Sequence, residues 1–398
     1  MKNILTLYRT LWLILCFSFP ATASEEKITL SEKATISILT CAPGNELYSL
    51  FGHTGIRVTD PTNRIDVVFN YGTFDFDTQG FYLKFARGLL PYQLSISNYY
   101  GPYGFLSAYD KQKRSIYSQT LNLDSIQKQE LMNLLLENYE PQNRSYLYNF
   151  LYDNCSTRVR DIIEKSLNNE ITWKTLEQDK SFWNLLDEYL QRSPWTQWGI
   201  HTILGSPANA DATNREQMFL PDYLMYALDS AYYPDGTRLA QPIEILYQAP
   251  EQDHATPWFL SPFFVFFIGM GVLIFIYQKA KRTRLLGSLS VLFFAVTGLI
   301  GCLIVFLGFF TKHPTTFPNF NILWANPLNL IAAFFIARKH TPPLIGNYLL
   351  IYLGFLIIGL ISWFFLTPAV LPSTLFIIIW MIYLTIYTRY LRPRMKFS

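Results

Sequence analysis

From residue 258 onward the chain is dominated by five apolar runs, at 258–277, 285–310, 322–337, 344–366 and 370–387. A helix needs about 20 apolar residues to cross roughly 30 Å of hydrocarbon, and the runs lie near that length, the third being the shortest. A membrane-spanning bundle is therefore the first constraint on the fold. The flanks give a direction. Lys279, Lys281, Arg282 and Arg284 follow the first run, Arg338 and Lys339 the third, and Arg389, Arg392, Arg394 and Lys396 the fifth. The loops around Lys312 and Pro368 carry almost no charge. Basic loops stay cytoplasmic, so the residues before the first run should lie outside and the C-terminus inside.

The N-terminus implies the same side independently. Lys2 and Arg9 precede a short apolar core that ends at Ala21-Thr22-Ala23, which reads as a secretory signal with cleavage after Ala23. Three parts result: a signal peptide (1–23), an exported domain (24–257) and a transmembrane domain of five helices (258–398). Only 15% of the residues are charged, against about 25% in soluble proteins. The shortfall lies in the membrane part. The net charge of +3, with no dense basic patch interleaved with aromatics, gives no ground for a nucleic-acid partner.

Within the exported part, 35–39, 54–58 and 66–70 read as short strands separated by turns at Pro43-Gly44, Phe51-Gly52 and Asp60-Pro61. Asp124 should cap a helix with Gln127 at capping-box spacing and Leu131, Leu134 and Leu135 inside. A second helix should open near Cys155, with Val159, Ile162 and Ile163 on its apolar face and Arg158, Arg160 and Glu164 off it. Further short helices are expected at 181–190 and 223–230. The sum is an α+β domain with a small early sheet and later helices.

Two cysteines, Cys41 and Cys155, fall in the exported part; Cys16 is in the signal and Cys302 in the second run. In an oxidising compartment the plain expectation for such a pair is a disulfide. The context of Cys155 points elsewhere. It follows Tyr152-Asp153-Asn154 and opens an amphipathic helix, where the N-terminal partial charge favours thiolate and free N–H groups can hold an oxyanion. A thiol nucleophile needs a base. His53, between Gly52 and a strand, is the candidate, whereas His201 and His254 read as ordinary satisfied polar groups. A catalytic imidazole also needs an orienting partner; Asn70, ending the next strand, is the first choice, with Asp75 and Asp77 behind it. No metal-ligand spacing, nucleotide-binding glycine pattern or Gly-x-Ser-x-Gly elbow occurs, so no metal or cofactor is expected. In the third run, Asn326 and Asn329 flank Pro327 and Leu328; these polar groups either bond between helices or form a notch for a lipid head group or substrate amine.

Four blocks carry a resemblance: 39–54 (Leu39-Thr40-Cys41-Ala42-Pro43-Gly44 through Leu50-Phe51-Gly52-His53-Thr54), Phe69-Asn70-Tyr71-Gly72-Thr73-Phe74-Asp75-Phe76, 81–88, and Asp153-Asn154-Cys155-Ser156-Thr157-Arg158. Over most of 34–230 the chain resembles the exported domain of Lnb-type lipoprotein N-acyltransferases, and the segment from His313-Pro314 to Asn329 looks like that family's membrane region. The order of His on a strand, then Asn-Cys opening a helix, also resembles permuted papain-like folds of the NlpC/P60 type, including lecithin:retinol acyltransferase-like enzymes. The resemblance implies Cys155 as nucleophile, His53 as base and Asn70 as third polar residue. Apart from it, Tyr48, Asn154 and Arg158 are candidate substrate contacts; Tyr48, Lys84, Arg87 and Arg158 either meet a lipid head group or peptide backbone or, the more ordinary use for each singly, serve as surface and salt-bridge groups. It implies an acyltransferase in the bacterial inner membrane with its N-terminal domain in the periplasm. Its partners would be the lipid bilayer, a membrane phospholipid or diacylglyceryl acyl donor, and a lipoprotein N-terminal cysteine as acceptor. Two other readings use the same residues: a cell-envelope papain-like peptidase or amidase, and a non-enzymatic assembly protein with a Cys41–Cys155 disulfide.

Overall fold

The computed structural model describes residues 28–174, 180–250, 255–280, 283–338, 342–362 and 372–391. The signal segment with its cleavage point, and His254, lie outside these residues. Seven strands form one antiparallel sheet: β1 Thr35–Cys41, β2 His53–Asp60, β3 Ile65–Thr73, β4 Pro91–Asn98, β5 Ile116–Thr120, β6 Ser145–Leu147 and β7 Glu244–Tyr247. Their order is β6-β4-β3-β2-β1-β5-β7. The helices in chain order are α1 Phe81–Ala86, α2 Phe105–Lys111, α3 Ser125–Tyr139, α4 Cys155–Ser166, α5 Phe182–Leu190, α6 Pro194–Ile203, α7 Asn214–Gln217, α8 Pro221–Asp229, α9 Pro262–Ala280, α10 Thr283–Phe309, α11 Asn329–Ala337, α12 Pro343–Ser362 and α13 Pro372–Ile386.

β1 is buried over nearly its whole length, because it lies centrally and both faces of the sheet are covered. On one face Ile36, Ile38, Ile56, Val58 and Phe69 pack with Leu131 and Leu135 of α3 and Val159 and Ile163 of α4. On the other, Leu39, Cys41 and Val68 pack with Tyr99 and Phe105. Asp124 caps α3 in the expected box with Gln127. The sheet is larger than the sequence suggested, and its last strand returns after all the exported helices. β4 begins at a proline and is only half buried, and β6 is only the three residues Ser145-Tyr146-Leu147, so neither carries the apolar run that marks a central strand. Arg160 is also not off the buried face of α4. It is 6% exposed and bonds the Arg215 carbonyl and the Asp161 carboxylate.

Among the described residues three helices are long and apolar enough to cross a membrane: Leu285–Phe309, Pro343–Ser362 and Pro372–Tyr390, with a shorter apolar helix at Pro262–Ile276. The third run is not one continuous span. It divides into a 3-10 turn, Phe320–Leu323, and the nine-residue α11. Pro327 and the intervening turns interrupt the helix, and nine residues rise only about 14 Å. Irregular backbone at membrane depth must be covered by protein. Here α10 supplies the cover through its glycines: a Cβ on Gly301 would lie 2.3 Å from the Ala325 carbonyl oxygen, and one on Gly298 2.6 Å from the Leu330 nitrogen. Gly301→Leu should therefore lower the melting temperature of the detergent-solubilised protein by several degrees, since backbone cannot yield as a side chain can and overpacking costs about 1–3 kcal/mol or more. An unchanged melting curve would mean that this contact is not close. Asn329 resolves in favour of bonds between helices: its amide donates to Thr297 Oγ1 and Tyr352 Oη at 3.0 Å and accepts from Tyr348 Oη at 2.6 Å.

The sheet domain is fastened to the membrane helices. Asn319 and Asn321 donate to the carbonyls of Thr202, Leu204 and His201 at the end of α6. The Gly205 and Ser206 N–H groups donate to Thr315 and Pro318 at 2.7 Å, and Trp198 Nε1 donates to Thr374 Oγ1.

Candidate active site

β2 and β3 pair from Asp60↔Ile65 to Ile56↔Phe69 and then separate. β3 bulges between Asn70 and Thr73 as it leaves β2, with Gly72 at φ +85°, a left-handed conformation that glycine adopts freely. The helix α4 points its first residue into this fork. The backbone N–H groups of Thr54 and Ser156 lie on the side of the Cys155 thiol where they favour its charged form, and the Cys155 Cβ lies 3.6 Å from where a Gly72 Cβ would stand. Thr54 Oγ1 and Ser156 Oγ, 2.8 Å apart, lock helix to strand at the same point.

His53 faces the opposite side of the sheet from Thr54. Its Nε2 lies 3.3 Å from Asn70 Oδ1 across the fork. The Asn70 amide nitrogen is occupied by the Val68 carbonyl and Ser97 Oγ, which leaves the oxygen toward the imidazole. Nε2 must then carry the proton and Nδ1 the lone pair. Tyr109 stacks on the ring with centroids 6.3 Å apart, and Cys41 is the register partner of His53 on β1.

Burial, then the nearby Arg114 guanidinium, bring the His53 imidazole down to about 4, against the raising effect of its bond to Asn70. Burial pushes the Cys155 thiol up, and the backbone donors only partly offset this. The resting pair is thus neutral thiol and neutral imidazole. A helix N-terminus alone favours a resting thiolate; here desolvation of a cysteine only 8% exposed outweighs it. Cys41, fully buried, is pushed up to about 12 by the same cause. Both cysteines are free thiols, so the disulfide of the non-enzymatic reading is not formed.

The other sequence-predicted residues divide. Asn154 is wholly used within the fold: its Oδ1 caps Ser156 and Thr157 N–H and its Nδ2 donates to Phe150 and Phe219 carbonyls. It shapes the start of α4 and leaves no group for substrate. Arg158 makes a two-point pair with Asp153 at 2.6 and 2.8 Å and stacks 3.5 Å above the Tyr146 ring, so it positions Tyr146 beside the thiol. Tyr48 is 63% exposed near Phe74. Asp75 and Asp77 lie exposed in a turn and do not reach His53. His201 Nε2 pairs with Asp187 at 2.8 Å and the ring stacks on Trp183, while its buried Nδ1 has no hydrogen-bond partner among the described residues, so the expectation of a satisfied polar group holds for one nitrogen only.

Sequence reasoning missed Tyr109, Arg114, Tyr146 and Tyr148. The alternation of Tyr146 and Tyr148 along an extended segment was the available signal. Tyr146 Oη is buried with no partner among the described residues and stands near Gly72. A cavity of about 870 Å³ opens alongside, lined by Ala42, Arg114, Tyr189, Arg192 and Asp222, but neither Cys155 nor His53 lines it.

Fold and site together define a membrane protein whose sheet domain holds a thiol and an imidazole at one split strand pair, on a helical transmembrane region. Residues 23–189 match the Lnb N-terminal periplasmic domain and residues 252–391 match the Lnb transmembrane domain. The chain belongs to the Lnb family, and its N-terminal domain is periplasmic. No curated protein and no solved structure matches it.

Proposed function

We propose that this protein is a lipoprotein N-acyltransferase that carries the acyl chain as a thioester on Cys155. The observation that carries this reading is that the start of α4 is bonded to β2 at Thr54, the residue after His53, whose imidazole Nε2 is engaged by Asn70. His53 Nδ1 takes the thiol proton as Sγ attacks an ester carbonyl of a membrane phospholipid or diacylglyceryl group. The Cys155 N–H stabilises the oxyanion, since the Ser156 and Thr157 N–H groups that follow it are held by Asn154. The C–O bond breaks, the leaving alcohol takes the proton from His53, and a thioester remains. The α-amine of a lipoprotein's N-terminal cysteine attacks next; the C–S bond breaks, the amine's proton passes through His53, and the thiol returns. Burial limits hydrolysis of the thioester. Positive flanks support a topology in which the C-terminus is cytoplasmic.

A direct test uses the purified full chain in vesicles that contain donor phospholipid or a diacylated lipopeptide whose α-amine is acetylated, so that no free acceptor amine is present. Intact-protein mass spectrometry should find a gain of one acyl chain on Cys155, removed by neutral hydroxylamine. If no such adduct accumulates while N-acylation proceeds when acceptor is added, transfer does not pass through this sulfur.

A further inference from the structure

The segment from Phe74 to Gly88 presents more apolar surface than a periplasmic loop can hold in water without a partner. None of the residues of α1 is buried; Phe76 is 66%, Tyr82 84% and Leu83 61% exposed. Contiguous exposed apolar surface marks a contact with a partner or a membrane. Two observations identify which. First, the C-terminal side of this segment is tied to the outer end of a span. The Lys312 N–H donates to the Arg87 carbonyl at 2.9 Å, and a Cβ on Gly88 would touch the His313 ring at 3.2 Å. These residues follow directly on α10, whose apolar stretch ends at Phe309. A helix of that length crosses the hydrocarbon and finishes at the head-group level. The exposed tip therefore lies at the bilayer surface, where aromatic rings with basic neighbours such as Lys84 and Arg87 are at home.

Second, the tip is connected to the thiol by aromatic rings. Phe81 meets Phe76 at 5.1 Å and Phe74 at 5.9 Å; Phe74 meets Tyr92 at 5.2 Å, and Tyr92 stacks on Tyr148 at 4.4 Å. Tyr148 and the Cys155 Cβ then flank Gly72 together, at 3.4 and 3.6 Å from its Cβ position. We infer that the Phe74–Gly88 hairpin dips into the outer leaflet and that its row of rings is the track along which an acyl chain leaves the bilayer to reach Cys155. The insertion stands on geometry alone; the track rests on the acyl-transfer reading above.

The two parts can be tested separately. Tyr82→Cys in a Cys302→Ser background, labelled with an NBD maleimide and reconstituted in phosphatidylcholine–phosphatidylglycerol vesicles, should be quenched by lipids carrying nitroxide near the top of the acyl chain. The same label on Tyr103→Cys, at a surface residue 95% exposed and at the other end of β4, should not. Equal quenching at the two sites, or none at Tyr82, overturns the insertion. For the track, the double variant Tyr82→Asp, Leu83→Asp should lose at least tenfold in acyl-adduct formation from vesicle-embedded donor, yet stay within about twofold of wild type with a water-soluble butyryl ester. Equal loss with both donors at an unchanged melting temperature, or no loss with either, overturns the track. If wild type forms no adduct from any ester, the acyl-transfer reading fails, and the quenching result still decides the insertion.

Discussion

Cells whose sole copy of this protein carries Cys155→Ala should make lipoproteins with a free N-terminal amine. The fall in N-acylation should be on the order of 10⁴-fold or more, the scale seen when a covalent nucleophile is removed. The change is small in structural terms, because it removes one sulfur from a helix whose start is held by the Asn154 cap and the Thr54–Ser156 bond, neither of which uses the thiol. Protein abundance should therefore match wild type, and the readout is mass spectrometry of lipoprotein N-terminal peptides with abundance measured in parallel. Cys41→Ala is the paired control. That thiol is pushed up to about 12, too weakly acidic to serve as nucleophile, and its loss should leave N-acylation within a few-fold of wild type. N-acylated peptides persisting in the Cys155 variant would end the proposal.

His53→Gln should lower adduct formation by about 10²–10⁴-fold, the usual contribution of a general base. The more informative experiment is the pH profile. An imidazole held near 4 remains a competent base throughout the neutral range, so the acid limb of the wild-type rate should fall close to pH 4 and not near 6.5. Asn70→Asp would place a carboxylate against Nε2, favour the imidazolium, and move that limb upward. A limb that does not move would mean that residue 70 does not govern the imidazole. The same shift bears on stability. Between pH 6.5 and about 4 the unfolded chain binds a proton that folded His53 refuses, so stability present above 6.5 is lost as the pH falls through this window.

The membrane region and the helix at Cys155 were legible because each has a local signature. An apolar run of the right length needs no partner to be recognised, and Asn154-Cys155-Ser156-Thr157 carries its own cap. His53 and Asn70 were legible as a pair because His53 opens a strand with a β-branched interior and Asn70 closes the Asp66–Asn70 run, although the strand itself continues to Thr73. What stayed hidden depends on distant residues meeting. The separation of β2 from β3 is fixed by a bulge at Gly72 and by a helix eighty residues later, and no short window contains both. β7 pairs with β5 although more than one hundred residues lie between them. The thiolate expectation failed for a related reason: the helix N-terminus is local and visible, whereas the burial that opposes it comes from the assembled domain. In the third run, Pro327 and the asparagines were visible, but only the glycines of α10 explain how a broken helix is tolerated there.

In the proposed mechanism, the asparagine clasp between residues 319–321 and the end of α6 would set the altitude of the Cys155 sulfur over the lipid surface. An enzyme held at one height searches in two dimensions, and it meets only reactants that are themselves confined to that plane. Selectivity for anchored amines over the abundant dissolved ones then needs no dedicated recognition pocket, because the tether excludes soluble competitors by position alone.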